Sequence, residues 1–218
     1  GASAPCERFW TLDPIDGTKG YLRGDQYAIA LALIENGRVV LGVLGCPNLS
    51  SDCASAAPSS GAIAVAVRGS GAGAMPLNGA ETLVPLRVSK ISDIKRARVL
   101  RSYVSSHTNV DELESFSRAV GIEAPPVALD SQAKYALLAS GAGELLLRLL
   151  SPKQPDYREM IWDQAAGAIV VEEAGGRVTD LAGKPLDFSR GRTLSANSGV
   201  CATNGVLHDE TLAALAKL

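Results

Sequence analysis

The stretch Trp10-Thr11-Leu12-Asp13-Pro14-Ile15-Asp16-Gly17-Thr18-Lys19-Gly20 decides how the rest of the sequence is interpreted. It places two carboxylates three residues apart after an apolar run, and carboxylate oxygens are the hard ligands that Mg²⁺ prefers. Gly17 permits a tight turn and a close approach of the backbone. Backbone N–H groups after such a turn, particularly at the start of a helix, suit a phosphate. The stretch therefore predicts a metal ion with a phosphate beside it.

The composition excludes several classes of protein. With 218 residues, of which 46% are hydrophobic and 20% charged, the chain can bury a core as one large or two small domains. A net charge of only −2 gives no broad electrostatic footprint for nucleic acid. The apolar runs are too short to span a bilayer, and no charged leader precedes an apolar segment. We therefore expect a protein that is not secreted, with neither a membrane nor a nucleic-acid partner.

The cysteines indicate a reducing compartment rather than a metal site. The four, Cys6, Cys46, Cys53 and Cys201, form no C-x-x-C pair, and only two histidines are present to complete a zinc site. We expect reduced, packed thiols.

The first ninety-odd residues are rich in strand patterns. The predicted strands are residues 9–12, 27–34, 39–44, 62–67 and 83–88. Asn36-Gly37 between two apolar runs predicts a hairpin, and Pro85 favours an edge position for the last strand. The strands at 27–34 and 39–44 are nearly continuously apolar, so we expect both of their faces to be covered. Residues 49–61 are small and polar and predict an exposed loop.

After residue 95 the pattern alternates between helices and strands, which is typical of an α/β layered fold. The predicted strands are 99–104, 127–129, 144–150, 177–180 and 200–203, and the predicted helices are 109–120, 131–140, 160–174 and 209–218. Asp130 or Ser131 is the expected cap of the second helix. We accordingly predict two domains: residues 1–95, a sheet-rich metal-binding part, and residues 96–218, an α/β part.

Asp163 is a further candidate metal ligand. By itself it could be a capping carboxylate that complements the dipole of the apolar helix after it. If it converges with Asp13 and Asp16, the three would form a site for two or more Mg²⁺ ions, which can activate water and neutralise a phosphoryl group.

Together the motifs resemble a known family. Leu12-Asp13-Pro14-Ile15-Asp16-Gly17-Thr18, followed by Trp162-Asp163-x-Ala165-Ala166-Gly167, resembles the paired signature of the Mg²⁺-dependent, lithium-sensitive inositol monophosphatase superfamily. Residues 16–24, 45–49, 129–135, 185–188 and 191–194 look like its 3′(2′),5′-bisphosphate nucleotidase branch. The resemblance implies a layered α-β-α-β-α sandwich and removal of the 3′-phosphate from 3′-phosphoadenosine 5′-phosphate (PAP). Several members also act on the sulfated nucleotide PAPS or on inositol bisphosphates.

The resemblance also implies roles for residues around the metal. Asp13 would bridge metal ions, the Ile15 carbonyl would bind one ion, and Asp16 and Asp163 would bind another. The N–H groups of Gly17 and Thr18 would hold the scissile phosphate, and the Thr18 hydroxyl would orient the attacking water. Asp13, Asp16 and Thr18 are thus the expected catalytic residues.

On the nucleotide side, the resemblance assigns substrate binding to Ser131, Lys134 and Arg148, because cationic side chains give charge-assisted hydrogen bonds to phosphate. The alternative for the two cations is a solvated surface charge. Two departures stand out: Gln164 replaces a histidine that usually follows the family's aspartate, and Val104 replaces a substrate-contacting histidine. His107 could take over that contact if its loop shifts; otherwise it is a surface residue.

The family has about a further third of chain before the Asp-Pro-Ile-Asp motif, which supplies a Glu metal ligand and an acidic residue that acts on the water. Glu7 has the wrong context for either role, and the chain starts at Gly1 without Met. We therefore expect an interior part of a longer protein, with the missing segment upstream or on a separate chain.

Three functions are consistent with the sequence. The first is a Mg²⁺-dependent PAP phosphatase with two or three metal ions, in the cytoplasm or an organelle such as the chloroplast or mitochondrion. The second is a non-catalytic nucleotide-binding or assembly subunit with an incomplete metal site. The third is an inositol polyphosphate 1-phosphatase, which the nucleotide-like stretch at 130–135 disfavours.

Overall fold

Two β-sheets follow one another along the chain in a computed structural model that describes residues 7–56, 60–79, 82–103, 110–151, 154 and 156–218. The first sheet has six antiparallel strands in sequence order. They are β1 Arg8–Asp16, β2 Ala28–Glu35, β3 Arg38–Cys46, β4 Ala62–Val67, β5 Gly71–Pro76 and β6 Val84–Pro85. Each predicted strand of this half is confirmed, although the last is only two residues long.

Local turn chemistry sets this sheet. Asn36 and Gly37 both have positive φ, 50° and 75°, and close the predicted β2–β3 hairpin. Pro85 lies on the edge strand as predicted, where its missing N–H costs no ladder hydrogen bond. The prediction of an exposed loop over 49–61 is wrong for Leu49 and Cys53, which are completely buried because they join the core beneath the sheet.

The face of this sheet towards the rest of the chain, its inner face, is lined with small side chains. Its buried alanines are Ala28, Ala30, Ala32, Ala62, Ala64, Ala66, Ala72 and Ala74. They let helix α4, Ala165–Glu173, approach closely. At Gly42 an added Cβ would lie 2.4 Å from the Ile169 side chain and 2.9 Å from the Ala166 carbonyl oxygen, so only glycine fits there.

The opposite side of the sheet, its outer face, carries larger apolar side chains that stay partly in solvent. Trp10, Leu12, Ile29 and Val67 are 56%, 53%, 37% and 43% exposed. The prediction that the strands at 27–34 and 39–44 are covered on both faces is therefore wrong at Ile29 and holds only in part elsewhere, since Leu33 is buried and Val40, Leu41 and Val43 are half-buried. Those strands are continuously apolar, yet only their inner-face residues pack against a helix.

The second sheet mixes parallel and antiparallel pairs in the order β10-β11-β9-β7-β8. Its strands are β7 Val99–Arg101, β8 Val127–Ala128, β9 Leu145–Arg148, β10 Arg177–Thr179 and β11 Val200–Thr203. The remaining helices are α1 Thr18–Arg23, α2 Val110–Val120, α3 Ala133–Ala139 and α5 His208–Leu215. The alternation of helices and strands predicted for this half is confirmed.

These elements stack in layers. Helices α3 and α4 lie between the two sheets, and one apolar cluster joins both sheets through them. A second cluster joins the far side of the second sheet to α2 and α5. The layered α/β sandwich is thus confirmed, and the described residues form four of its five expected layers. Residue 95 lies in the connection between the last strand of the first sheet and the first strand of the second sheet. The division into two domains stays a prediction.

One local prediction is wrong, and another holds only in part. The segment 160–174 is not one helix: a 3₁₀ turn, Ile161–Asp163, precedes α4, and Gln164, with φ −128°, interrupts them because its side chain is held in buried hydrogen bonds. The N-cap position of α3 is Gln132 rather than Asp130 or Ser131, yet the Ser131 Oγ accepts a 3.2 Å hydrogen bond from the Ala133 N–H at the start of the helix, so the predicted capping contact is present for Ser131. Asp130 pairs instead with Arg23.

The thiols of Cys46, Cys53 and Cys201 are free and buried, as predicted, and Cys6 lies outside the described residues. Among the described helices, none has the length and apolar character needed to cross a membrane.

Candidate metal centre and substrate cavity

A β-bulge brings the first two carboxylates together. In a regular strand, residues an odd number apart point to opposite faces, so Asp13 and Asp16 would diverge. The register of β1 against β2 shifts between them: Asp13 pairs with Ala30, whereas Asp16 pairs with Ala28. The extra residue turns the strand locally. Both side chains therefore reach the same site.

Asp163 completes the cluster from the other half of the chain. Oxygens of Asp13, Asp16 and Asp163 all lie within 4.8 Å of one another. Asp163 stands at the end of the 3₁₀ turn, and the N-cap of α4 is Gln164. The carboxylate of Asp163 thus faces the other two, and three acidic groups from two distant segments could hold a metal ion.

The electrostatics of this cluster favour a cation. Burial, together with repulsion from Asp16, raises the pKa of Asp163 to about 7. Burial also raises the pKa of Asp13 and that of Asp16, although a 2.6 Å hydrogen bond from the Gln132 N–H to Asp16 Oδ2 partly opposes this. Crowded carboxylates of this kind repel one another until a positive charge is shared between them. An all-oxygen donor set fits a hard divalent cation.

The turn after the second carboxylate is packed tightly. Gly17 has φ +82°, and an added Cβ there would lie 2.8 Å from the Ser131 Cβ. Thr18 begins α1, so its N–H has no partner within the helix. Its Oγ1 donates a 3.2 Å hydrogen bond to the Ile15 carbonyl oxygen. The predicted phosphate loop is thereby held against the predicted nucleotide side.

A cavity of about 350 Å³ connects these groups. Every described residue that the sequence proposed for the site lines it: Asp13, Ile15, Asp16, Gly17, Thr18, Ser131, Lys134, Arg148 and Asp163. His107 and Val104 lie outside the described residues. The structure therefore brings the proposed metal, phosphate and nucleotide residues into one space.

Lys134 carries a buried positive charge into this cavity. The residue is 4% exposed, and its Nζ donates hydrogen bonds to the Ser102 hydroxyl at 3.1 Å and the Leu129 carbonyl at 3.2 Å. Burial, together with repulsion from Arg148, lowers its pKa to about 8. Because both hydrogen-bond partners are neutral, the ammonium can still take an anionic ligand. The alternative of a solvated surface charge is wrong for this residue.

Arg148 is also buried, but its charge is balanced. Its Nε and Nη2 donate to the two carboxylate oxygens of Glu159 at 3.2 and 2.8 Å. The side chains of Arg148 and Glu159 are 13% and 2% exposed. The alternative of a solvated surface charge is therefore wrong for Arg148 too.

Several polar groups in and behind the cavity are not among the residues that the sequence proposes for the site. Ser102, which lines the cavity, and Glu159, which stands behind Arg148, lie in stretches without a recognisable motif, and only the fold brings them to these places. The Gln132 N–H that bonds Asp16 is a backbone group, which no sequence pattern reveals. Gln164 was noted only as a departure from the family, yet it lines the cavity.

Comparisons with known proteins agree with this geometry. The whole chain, residues 1–218, matches the inositol monophosphatase family. It is 43% identical to a 3′(2′),5′-bisphosphate nucleotidase of Emericella nidulans, covering 100% of this chain and 65% of that protein. A 3′(2′),5′-bisphosphate nucleotidase of Oryza sativa is 48% identical, over 97% of this chain and 60% of the relative.

Solved structures give the same fold. An IMPase of Thermotoga maritima superposes with a TM-score of 0.72 at 28% identity, over 100% of this chain and 72% of that one. The chain spans less than two thirds of the length of the Emericella and Oryza nucleotidases. On its sequence and its fold alike, the chain belongs to the inositol monophosphatase family.

Proposed function

We propose that this chain forms the catalytic part of a Mg²⁺-dependent phosphomonoesterase that removes the 3′-phosphate of PAP to give AMP, and that it also accepts PAPS. The observation that carries the proposal is the single cavity shared by three converging carboxylates and by Lys134 and Arg148. A bisphosphate needs such a pairing, since one phosphate meets the metal while the other meets the cations. The names of the curated relatives support the same substrate class.

In this proposal, Asp13, Asp16, Asp163 and the Ile15 carbonyl hold two or three Mg²⁺ ions. Bound Mg²⁺ supplies neutralisation of phosphoryl charge and a lowered pKa for water. The Thr18 N–H, which has no helical partner, donates to the scissile phosphate together with the N–H of Gly17. We assign the orientation of the attacking water to the Thr18 hydroxyl, which lies 3.2 Å from the Ile15 carbonyl oxygen.

The second phosphate and the nucleoside bind on the side of Ser131, Lys134 and Arg148. Lys134 offers a buried charge whose hydrogen-bond partners are neutral, so an anion gains full electrostatic benefit there. His107 stays a candidate contact to the substrate. The proposed chemistry involves neither nucleic acid nor a membrane.

We further propose that full activity requires a segment equivalent to the remaining part of the longer relatives, joined to this chain or supplied separately. The family resemblance assigns a Glu metal ligand and an acidic residue to that part. The outer face of the first sheet, where Trp10 and Leu12 are 56% and 53% exposed, offers apolar side chains for such a segment to pack against.

The decisive assay is phosphate release from PAP with Mg²⁺, for this chain alone and for a fusion that carries the upstream part of the Emericella relative. We expect little release from the chain alone and strong, Li⁺-sensitive release from the fusion. A fusion that binds AMP and releases no phosphate would identify a nucleotide-binding subunit. Release from an inositol bisphosphate and not from PAP would identify an inositol polyphosphate 1-phosphatase.

For localisation we propose a reducing compartment, the cytoplasm or an organelle such as the chloroplast or mitochondrion. The free, buried thiols of Cys46, Cys53 and Cys201 support it. Fractionation with an antibody against the chain would test this placement.

A further inference from the structure

A buried polar relay stands behind Arg148. Glu159, which holds the guanidinium through both carboxylate oxygens, also accepts a 2.8 Å hydrogen bond from the Gln164 Nε2. The Gln164 Oε1 in turn accepts a hydrogen bond from the Tyr135 hydroxyl. The relay therefore runs from Tyr135 on α3, through the start of α4, to Arg148 on β9.

Each member of the relay is withdrawn from solvent. Tyr135, Gln164 and Glu159 are 3%, 2% and 3% exposed. In such surroundings a polar group without a partner is costly, so each hydrogen bond fixes the next one. An amide is suited to the central place because it offers an acceptor to the tyrosine hydroxyl and a donor to the carboxylate.

The relay determines where the Arg148 guanidinium points. Two of its nitrogen atoms are held by Glu159. The same side chain lines the cavity, so its orientation sets the direction in which its remaining N–H groups meet a ligand. The guanidinium is planar and its N–H donors point in fixed directions. It binds phosphate tightly when these donors align with the phosphate oxygens, and more weakly when it is rotated.

We propose that Gln164 and Glu159 are positioning residues that aim Arg148 at the second phosphate of the nucleotide, the one that is not removed. The inference rests on the proposed function for the identity of that phosphate. It assigns to Gln164, where this chain departs from the family's histidine, the role of fixing Glu159. A neutral histidine, with one acceptor and one donor nitrogen, could fill the same place.

The test measures binding of AMP and of adenosine, which lacks the phosphate, by calorimetry. Gln164→Leu keeps the side-chain size and removes both hydrogen bonds, and we expect AMP affinity to fall about tenfold with adenosine affinity unchanged. Gln164→His should restore AMP affinity to within about twofold. Tyr135→Phe leaves the Gln164–Glu159 bond in place and should cost AMP about threefold, which tests the relay even if the leucine variant is unstable.

Two results would overturn the inference. One is an equal loss of AMP and adenosine affinity in the variants, which would indicate a general structural defect. The other is a wild-type chain that binds AMP no better than adenosine. By contrast, AMP binding that follows the expected series, with no PAP hydrolysis by the fusion, would refute the proposed function and leave the positioning role standing.

A kinetic measurement on the active fusion gives a second readout. With Gln164→Leu, the KM for PAP should rise about tenfold, and the KM for 3′-AMP, which has no second phosphate, should not change. The kcat for both should stay within about threefold. A fall in kcat without any difference between the two substrates would contradict the proposal.

Discussion

The backbone N–H of Gln132 donates a 2.6 Å hydrogen bond to the carboxylate of Asp16, 116 residues earlier in the chain. This bond ties the bulged end of β1 to the start of α3, and so joins the proposed metal side of the cavity to its nucleotide side. The same Gln132 uses its side chain to bond the Trp162 carbonyl and the Gly167 N–H, next to Asp163 and within α4. The site is therefore assembled by tertiary contacts from three segments.

Asp163→Asn should abolish phosphate release by the active fusion, by a factor of a thousand or more, because it removes one of three converging carboxylates. Burial and repulsion raise the pKa of Asp163 to about 7, which means that its charged form is unfavourable in the folded protein. The neutral amide removes this unfavourable charge, so the melting temperature of the metal-free variant should stay the same or rise. Asp209→Asn is the matched control, because that side chain is 86% exposed and pairs with Arg177 on the surface. Normal turnover by Asp163→Asn would refute the three-carboxylate site.

Mg²⁺ should stabilise the chain itself. A ligand that binds only the folded state raises its stability by mass action, by about 2.7 kcal/mol at a hundredfold excess over Kd. We expect Mg²⁺ to raise the melting temperature of the wild-type chain and EDTA to bring it back to its metal-free value. The melting temperature of Asp13→Asn should not change when Mg²⁺ is added. A response of equal size in that variant would place the metal elsewhere.

Gly17→Ala should destabilise the protein by about 2–3 kcal/mol, because it combines a positive φ with a 2.8 Å clash against the Ser131 Cβ. Gly24→Ala measures the cost of the positive φ alone, since Gly24 has φ +75° and no atom lies within 4 Å of an added Cβ. It should cost about 1 kcal/mol. Urea unfolding of both variants gives the comparison, and equal losses would show that the contact with Ser131 carries no energy.

His208 should make stability depend on pH. Its ring nitrogens bond the Thr179 and Thr203 hydroxyls, and burial, together with the charge of Arg177, lowers its pKa to about 4 from 6.5. The unfolded chain therefore binds a proton more readily than the folded one. The contribution is present above the unfolded pKa of 6.5 and is lost as the pH falls towards 4, by about 2 kcal/mol between pH 7.5 and pH 5.

The measurement is urea unfolding of the wild type and of His208→Gln at pH 7.5 and pH 5. The variant should be less stable at pH 7.5 and should lose less stability on acidification. Parallel pH profiles for the two proteins would show that His208 does not titrate in this range.

The sequence allowed much of the fold to be predicted, because most strands and helices follow from local periodicity and turn chemistry, as at Asn36-Gly37. Gln164 was harder: its apolar surroundings favour one continuous helix, and only its buried hydrogen bonds explain the break. Leu49 and Cys53 were misassigned because small polar neighbours outnumber them in the loop. In each case a tertiary contact overrides the local pattern.

The site shows the same division. Asp13, Asp16 and Asp163 were found from residue type and resemblance, whereas their convergence depends on a bulge and on the packing of α4 against the first sheet. Glu159 has no signal of its own in the sequence, because its role exists only through Arg148 and Gln164. Groups that act through other groups are visible only once the chain is folded.

The bulge in β1 has a consequence for how densely donor atoms can be packed along a chain. A regular strand presents one side chain to a given face every second residue, about 6.8 Å apart, and directs its carbonyls sideways into the ladder. By inserting one residue, β1 brings Asp13, Ile15 and Asp16 to one cavity within four consecutive residues. A short and stiff piece of backbone can thus carry several oxygen donors, and little chain entropy remains to be lost when a cation arrives.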